Sequence, residues 1–132
     1  MKLLSTIITS LNCDIYKTTP KEHDEAVALI SHLPIFLGSC LIESVNTQEN
    51  SSLLNTSKVL ASTGFYDTSR VGGGNPSLGL DLAISNQKNI LKSLKKLSNN
   101  INEIEKIIKQ KDWDLLFQKL SRAEQIRKQF CD

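Results

Sequence analysis

The chain has 132 residues, enough for one domain with a core of its own, and its 39% hydrophobic and 23% charged content is typical of a globular protein. Sixteen basic against fourteen acidic residues give a formal charge of +2, which is too small to predict a nucleic-acid partner from electrostatics. Three widely spaced cysteines indicate neither a zinc site nor a disulfide framework, and they favour a reducing, cytoplasmic setting.

The first 18 residues predict a helix and then a short strand. Leu4, Ile7 and Leu11 lie on one face of a helix over residues 3–11, and residues 13–18 have the composition of a strand. The opening resembles a signal peptide only superficially, because it has no small-residue cleavage motif. A single strand cannot satisfy its own backbone groups. The strand therefore requires a second chain, or a sheet that precedes it.

A long helix is predicted to begin at Thr19. A hydroxyl residue at the N-cap, Pro20 at the first helical position and Glu22 three residues after the cap form a complete helix start. An apolar stripe continues to Leu41, and Pro34 is predicted to kink the helix rather than to end it. We expect no membrane-spanning segment, because no apolar run approaches the length that a bilayer requires.

After a polar break at 46–52, further helices are predicted, so the fold class is mainly α. One helix covers 53–61, and another begins at Asn75-Pro76. The strongest periodicity follows in a set of residues that we call the seam: Ile90, Leu94, Leu97, Ile101, Ile104 and Ile108. A last helix, from Trp113 to Phe130, is predicted to pack antiparallel to it. Because one short helix cannot cover the seam, we expect a twofold partner.

The segment Gly64–Pro76, GFYDTSRVGGGNP, is predicted to be a loop that carries an arginine. Neither GxGxxG nor GxxxxGK[ST] occurs anywhere in the chain, so the three glycines at 72–74 do not predict a phosphate site. They indicate close backbone approach or unusual backbone angles. Arg70 presents a rigid fork of donors suited to a carboxylate. Alternatively, Arg70 only ties its own loop to Asp67.

Two histidines are the remaining residues with chemical potential. His23 and His32 are nine residues apart on the predicted long helix, which places them on opposite sides, so they cannot bind one metal together. His23, in the first turn, is predicted to be a surface or capping residue. His32 lies inside the apolar stretch ALISHLPIF, where it is either a core residue with a satisfied side chain or a functional group.

Two blocks of sequence resemble a known enzyme family. HDEAVALISHLP (23–34) and LASTGFYDTSRVGGGNPSLGLDLAISNQ (60–87) are similar to the C-terminal half of prephenate and arogenate dehydrogenases, especially the cyanobacterial type. The likeness extends from about residue 3 to the C-terminus. It implies that residues 19–132 form a helical dimerisation and substrate-side domain that interlocks two subunits. Residues 1–18 would then be the remnant of the end of a nucleotide-binding domain.

The resemblance also implies a reaction and a set of substrate-binding residues. Family members transfer a hydride from the ring hydroxyl carbon of prephenate or arogenate to NAD or NADP and release carbon dioxide, in tyrosine biosynthesis. Arg70 matches the family arginine that holds a substrate carboxylate, and His32 matches a histidine at the substrate pocket. Asp67 matches a residue of the ionic network around that arginine, and Thr68 lies beside them.

No catalytic, cofactor-binding or metal-binding residue is assigned to this chain. The family's GxGxxG loop and its catalytic histidine belong to the N-terminal domain, so the chain alone is expected to be inactive. Its expected partners are a second copy and prephenate or arogenate, with a separately encoded nucleotide-binding half as one option. Nucleic acid and membranes are not expected as partners.

Ile35 stands where some family members carry a second histidine, which leaves tyrosine feedback and the choice of substrate open. The choice between NAD and NADP is open as well. An alternative function is a stand-alone helical homodimeric interaction module without enzymatic activity. A basic helical DNA binder is a weaker alternative, because the basic run at 92–96 alternates with leucines at helical spacing and predicts a solvated helix face.

Overall fold

The computed structural model describes residues 2–13, 15–46 and 51–131 and is almost entirely helical within these ranges. The described residues form eight α-helices and one π-helical segment: α1 (Lys2–Ser10), α2 (Pro20–Val27), the π segment (Ala28–His32), α3 (Leu33–Asn46), α4 (Ser51–Leu60), α5 (Thr63–Ser69), α6 (Pro76–Ser85), α7 (Gln87–Gln110) and α8 (Trp113–Cys131). The predicted mainly α fold class is confirmed. The chain divides into two compact units, residues 1–90 and 91–132.

The strand predicted over residues 13–18 is not seen among the described residues. Cys13 and residues 15–18 have no regular secondary structure, and Asp14 lies outside the described residues. A strand needs a neighbouring strand for its backbone hydrogen bonds, and the described part of the chain provides none. The preceding helix α1 is present as predicted, and it ends in a Schellman motif at Asn12, whose φ is 54°.

The helix predicted to begin at Thr19 has the expected start. The Thr19 hydroxyl accepts a hydrogen bond from the Glu22 backbone N–H at 3.2 Å, and Glu22 Oε2 accepts one from the Thr19 backbone N–H at 3.1 Å. These two bonds complete the capping box. The Glu22 carboxylate also accepts from the hydroxyls of Thr18 and Thr19.

Pro34 is accommodated by the π-helical segment, and the helix continues past it to Asn46. Proline lacks an N–H, and its ring collides with the carbonyl four residues earlier in a regular α-helix. Immediately before it, the Leu33 N–H bonds to the carbonyl oxygen of Ala28, five residues back, which widens the turn. The prediction that Pro34 does not end the helix is confirmed, and the π segment over Ala28–His32 accommodates the proline.

By length and composition alone, the continuous helix Pro20–Asn46 could cross a membrane, so the expectation that no run is long enough was wrong by that measure. The helix is long because it continues through Pro34. Three of its residues, Ala28, His32 and Gly38, are nevertheless buried in the protein. His32 is buried within 3.5 Å of the Asn86 side chain, and Gly38 is buried against the Gly72 backbone.

Helix α5 was not predicted, because residues 64–76 were expected to form a loop. Gly64, Thr63 and Thr68 have low helix propensity, so the local sequence does not favour a helix here. The helix is stabilised by packing on α3, because Ser69 is buried and the Thr68 carbonyl oxygen would lie 3.1 Å from a Cβ added at Gly38. Within α5, the Ser69 hydroxyl donates to the Phe65 carbonyl oxygen at 2.6 Å. The polar break predicted at 46–52 falls mainly on residues 47–50, outside the described ranges.

Helix α6 begins at the predicted position, whereas the separate start of α7 at Gln87 was not predicted. The Asn75 side chain accepts from the Ser77 N–H at 2.9 Å, and Pro76 occupies the first turn of α6, as the Asn-Pro pair predicts. Helix α7 then carries the seam.

In the unit of residues 91–132, α7 and α8 form a helical hairpin. The turn is a Schellman motif in which Lys111 adopts a φ of 57°, the Asp112 N–H bonds to the Ile107 carbonyl at 3.2 Å, and the Asp112 carboxylate caps α8. Lys119 on α8 pairs with Glu103 on α7 at 2.6 Å, which places the two helices side by side and antiparallel as predicted.

Candidate functional site

His32 lies in the π segment, and its side chain is buried, with 7% of the residue exposed. Its Nδ1 lies 3.5 Å from Nδ2 of Asn86, which is 9% exposed and sits in the turn between α6 and α7. Asn86 also donates from Nδ2 to the Asp24 carbonyl oxygen at 2.7 Å and accepts from Asn89 Nδ2 at 2.8 Å. His32 is therefore a buried histidine with a polar neighbour, so the core and functional interpretations are both compatible with its setting.

The Arg70 loop is held on α3 by a contact between two glycine backbones. A Cβ added at Gly72 would lie 2.1 Å from the Ser39 nitrogen and 2.2 Å from the Gly38 carbonyl carbon, distances that no side chain tolerates. A Cβ at Gly38 would lie 3.0 Å from the Gly72 nitrogen. The predicted close backbone approach is confirmed at Gly72, whereas no described glycine has a positive φ.

Arg70 is the C-cap residue of α5, and its side chain is exposed. Two turns of backbone hydrogen bonding fix its main chain: its N–H bonds to the Tyr66 carbonyl at 3.1 Å, and the Gly72 and Gly73 N–H groups both bond to the Ser69 carbonyl at 3.0 Å. Within the described ranges, Arg70 makes no ion pair with Asp67 or with any other acid. The ion pair by which Arg70 would tie its own loop to Asp67 is therefore not formed in the structure.

The four predicted substrate-binding residues fall in two groups. Asp67, Thr68 and Arg70 lie together at the end of α5, all exposed, and the Thr68 carbonyl contacts α3 at Gly38. His32 precedes Gly38 by six residues on the same continuous helix, about 9 Å along its axis. No hydrogen bond joins His32 to Arg70 in the described part of the chain. A ligand that touches both groups would have to extend along this helix from His32 to the level of Gly38.

A separate apolar groove of 760 Å³ lies between the end of α3, α4 and α5. Its walls include Ile42, Leu54 and Phe65. None of the four predicted site residues lines it. The groove is open and mainly hydrophobic.

Two residues that position the site were not predicted. Gly38 has a local signal, because an isolated glycine inside an apolar helical stretch often marks close packing. Asn86 has only a weak signal, an asparagine at a helix junction, since its partners Asp24 and His32 are distant in sequence. No cluster of three metal-ligating side chains occurs among the described residues.

Comparison with known proteins places this arrangement in a family. Residues 19–122 match the family model described as "Prephenate dehydrogenase, dimerization domain". The prephenate dehydrogenase of Bacillus subtilis is 27% identical over 124 residues, which cover 94% of this chain and 33% of the relative. The arogenate dehydrogenase of Synechocystis superposes with a TM-score of 0.93 at 37% identity, over 98% of this chain and 46% of that one.

A more distant structure has the same fold. The prephenate dehydrogenase of A. aeolicus, solved in complex with hydroxyphenyl propionate and NAD+, superposes with a TM-score of 0.86 at 19% identity, over 98% of this chain and 44% of that one. The chain thus spans between a third and a half of the length of these relatives. The family match extends from the Thr19 cap into α8 and includes the π segment, α5, the glycine loop and the Asn86 turn, so the chain belongs to the family of prephenate dehydrogenase dimerization domains.

Proposed function

We propose that this chain is the dimerisation and substrate-binding part of a prephenate or arogenate dehydrogenase in tyrosine biosynthesis. In the whole enzyme, a hydride would pass from the ring hydroxyl carbon of the substrate to NAD or NADP, and the ring carboxylate would leave as carbon dioxide. Residues 19–132 would form the helical domain, and residues 1–18 would be the end of a nucleotide-binding domain. We expect a cytoplasmic protein that acts on neither membranes nor nucleic acid.

The observation that carries the proposal is the state of Arg70. A guanidinium with no carboxylate partner in the described part of the chain, on a backbone anchored by Gly72, is ready to receive an anion. Its planar donors match a carboxylate in a two-pronged geometry. The substrates of this enzyme class carry carboxylates, so a fixed fork of donors can orient the ring for hydride transfer.

The other site residues have supporting roles in this proposal. Asp67 lies one turn before Arg70 on α5, where its negative charge would restrict the directions that the guanidinium adopts. Thr68 offers a hydroxyl beside the same anion. His32 would contact the substrate through Nε2, the ring nitrogen that has no partner among the described residues.

The cofactor would be bound by a part of the enzyme that these 132 residues do not contain. The sequence has no GxGxxG and no GxxxxGK[ST]. The relative from A. aeolicus binds NAD+, but this chain spans only 44% of it. We therefore expect no turnover by the 132-residue chain with either nicotinamide. Absorbance at 340 nm with prephenate or arogenate measures this directly, and clear reduction of NAD or NADP would contradict it.

The test of the function is a chimera. The matching C-terminal part of the Synechocystis arogenate dehydrogenase is replaced by this chain, and oxidation of prephenate and arogenate is measured with NAD and with NADP. Arg70→Ala should raise KM by about 30-fold or more, because loss of one partner of a charged pair that the bound substrate buries costs about 2–5 kcal/mol. Arg127→Ala, exposed near the end of α8, is the control.

Two outcomes would count against the proposal. One is a folded, dimeric chimera that oxidises neither substrate. The other is an Arg70→Ala chimera with an unchanged KM and a lowered melting temperature, which would make Arg70 a structural residue.

A further inference from the structure

We infer that Asn86 is a positioning residue that holds His32 in the tautomer with its proton on Nε2, so that His32 presents a hydrogen-bond donor to the substrate. The statement about the substrate rests on the proposed function. The tautomer itself is a property of this chain alone and is tested separately.

The orientation of the Asn86 amide follows from two short hydrogen bonds. A carbonyl oxygen can only accept, so the group that lies 2.7 Å from the Asp24 carbonyl oxygen must be the Asn86 nitrogen. The Asn86 oxygen accepts from Asn89 Nδ2 at 2.8 Å. If the amide were flipped, two oxygens would face each other at 2.7 Å. The –NH₂ group is therefore fixed on the side of α2 and His32.

The fixed amide decides which nitrogen of His32 carries the proton. One hydrogen of Asn86 Nδ2 is directed at Asp24, and the other faces His32 Nδ1 at 3.5 Å. A proton on Nδ1 would place two donors against each other, in a setting where both residues are buried and water cannot intervene. Nδ1 must then be an acceptor, and the single proton of the neutral ring lies on Nε2.

The other ring nitrogen of His32, Nε2, is accessible to a ligand. Among the described residues, every fully buried side-chain nitrogen or oxygen has a hydrogen-bond partner. Nε2 of His32 has no partner among these residues, so it is not fully buried. Nε2 therefore remains accessible. An Nε2–H group is attracted to a carboxylate, which can only accept a hydrogen bond, whereas an Nε2 lone pair would repel it. Asn86 thus matches His32 to an anionic ligand, the same class of group that we assign to Arg70.

The tautomer is measured by two-bond ¹H–¹⁵N NMR of the histidine rings in the ¹⁵N-labelled 132-residue chain at neutral pH. The two histidines give separate patterns, and His23, which is exposed, serves as the internal reference. We expect the His32 pattern of a protonated Nε2 and an unprotonated Nδ1. A His32 pattern with the proton on Nδ1, or with an even mixture of tautomers, in the wild-type chain would overturn the inference.

Variants test the role of Asn86 itself. Asn86→Ala should give His32 a mixture of tautomers, and Asn86→Asp should move the proton to Nδ1, because a carboxylate can only accept. Asn99→Asp, an exposed change elsewhere on α7, should leave the His32 pattern as it is. A folded Asn86→Ala chain with an unchanged His32 pattern would contradict the assignment. The wild-type spectrum remains decisive if a variant does not fold.

The role of Asn86 in substrate binding is tested in the chimera described above. Asn86→Ala should raise KM about tenfold, the scale of one hydrogen bond to a charged group. An unchanged KM, alongside a mixed His32 tautomer and a large effect of Arg70→Ala, would refute the substrate role of the tautomer and leave the proposed function intact. If Arg70→Ala also has no effect, the proposed function is refuted.

Discussion

Arg70 owes its place to a glycine two residues later. The Gly72 backbone lies directly on the Gly38–Ser39 backbone of α3, at a distance that excludes any side chain. Because Gly72 and Gly73 also donate to the Ser69 carbonyl, the chain turns tightly at the end of α5. Gly72 therefore serves close backbone packing on α3.

Gly72→Ala should destabilise the protein and displace the arginine. The new methyl group would lie 2.1 Å from a backbone nitrogen, so the loop must move, at a cost of about 3 kcal/mol or more, the upper range of overpacking. Gly64→Ala is the matched control, since nothing lies within 4 Å of its added Cβ, and it should be neutral or slightly stabilising. Urea denaturation measures both. Equal stability of the two variants would contradict the close backbone contact between Gly72 and α3.

At the scale of elements, several helix ends are set by hydrogen bonds from the backbone to a side chain, or by a residue in the left-handed conformation. Helix α2 begins with the Thr19 capping box, and α8 begins where the Leu115 N–H bonds to Asp112. Helix α7 ends at Lys111, a non-glycine residue with a φ of 57°. The backbone at Lys111 is strained, because residues other than Gly and Asn rarely adopt the left-handed conformation.

Lys111→Gly should therefore stabilise the α7–α8 hairpin by about 0.5–1 kcal/mol, because glycine adopts this backbone angle without strain. Lys106→Gly, in the interior of α7, should destabilise it by a similar amount. Thermal unfolding followed by circular dichroism measures the two opposite shifts. A lower melting temperature for Lys111→Gly would show that the left-handed cap does not limit stability.

The start of α2 gives a pH prediction. The hydrogen bonds from the Thr19 backbone, the Thr19 hydroxyl and the Thr18 hydroxyl lower the pKa of Glu22. A lowered pKa in the folded state stabilises the fold above the ordinary glutamate pKa, and this contribution is lost as the pH falls through the lowered value. Glu22→Gln should therefore reduce the free energy of unfolding at neutral pH and have less effect in acid.

The control for this prediction is Glu43→Gln, because Glu43 is exposed and accepts no hydrogen bond from the described residues. Urea denaturation from pH 3 to pH 7 gives the comparison. A Glu22→Gln effect that does not change over this range would refute the role of the charge.

At the scale of the whole molecule, part of the predicted seam is left uncovered by the chain itself. Ile101 is 51% exposed and Ile108 is 47% exposed, while Leu94, Leu97 and Ile104 are half-buried. Helix α8 adds Phe117 and Leu120 to the exposed apolar surface. A second copy would cover such a surface, as the family description implies. Each apolar side chain buried in this way would contribute about 1.5–3 kcal/mol to the stability of the dimer.

Sedimentation equilibrium at micromolar concentration should give a mass close to twice 14.7 kDa. Ile101→Asp should yield monomer or aggregate, because it places a charge in the expected interface, whereas Asn102→Asp, on the next exposed position, should remain dimeric. A well-folded wild-type monomer at this concentration would contradict the proposal, and so would an Ile101→Asp chain that still forms the dimer.

The sequence by itself determined most of the helices and several of their ends, because capping residues and apolar periodicity act over a few residues. Thr19, Asn75 and the seam are examples. It did not predict α5, whose residues favour a loop and become helical where Ser69 is buried. It also predicted a strand at 13–18, since a local pattern does not reveal whether a partner strand is present.

Only the tertiary structure decided how the candidate site is held. Arg70 was visible in the sequence as a distinctive residue, but the backbone contact that anchors it joins Gly38 to Gly72. His32 was visible as well, yet its partner Asn86 is 54 residues away along the chain. Such contacts depend on where whole helices come to rest against one another, and no local pattern of residues encodes that position.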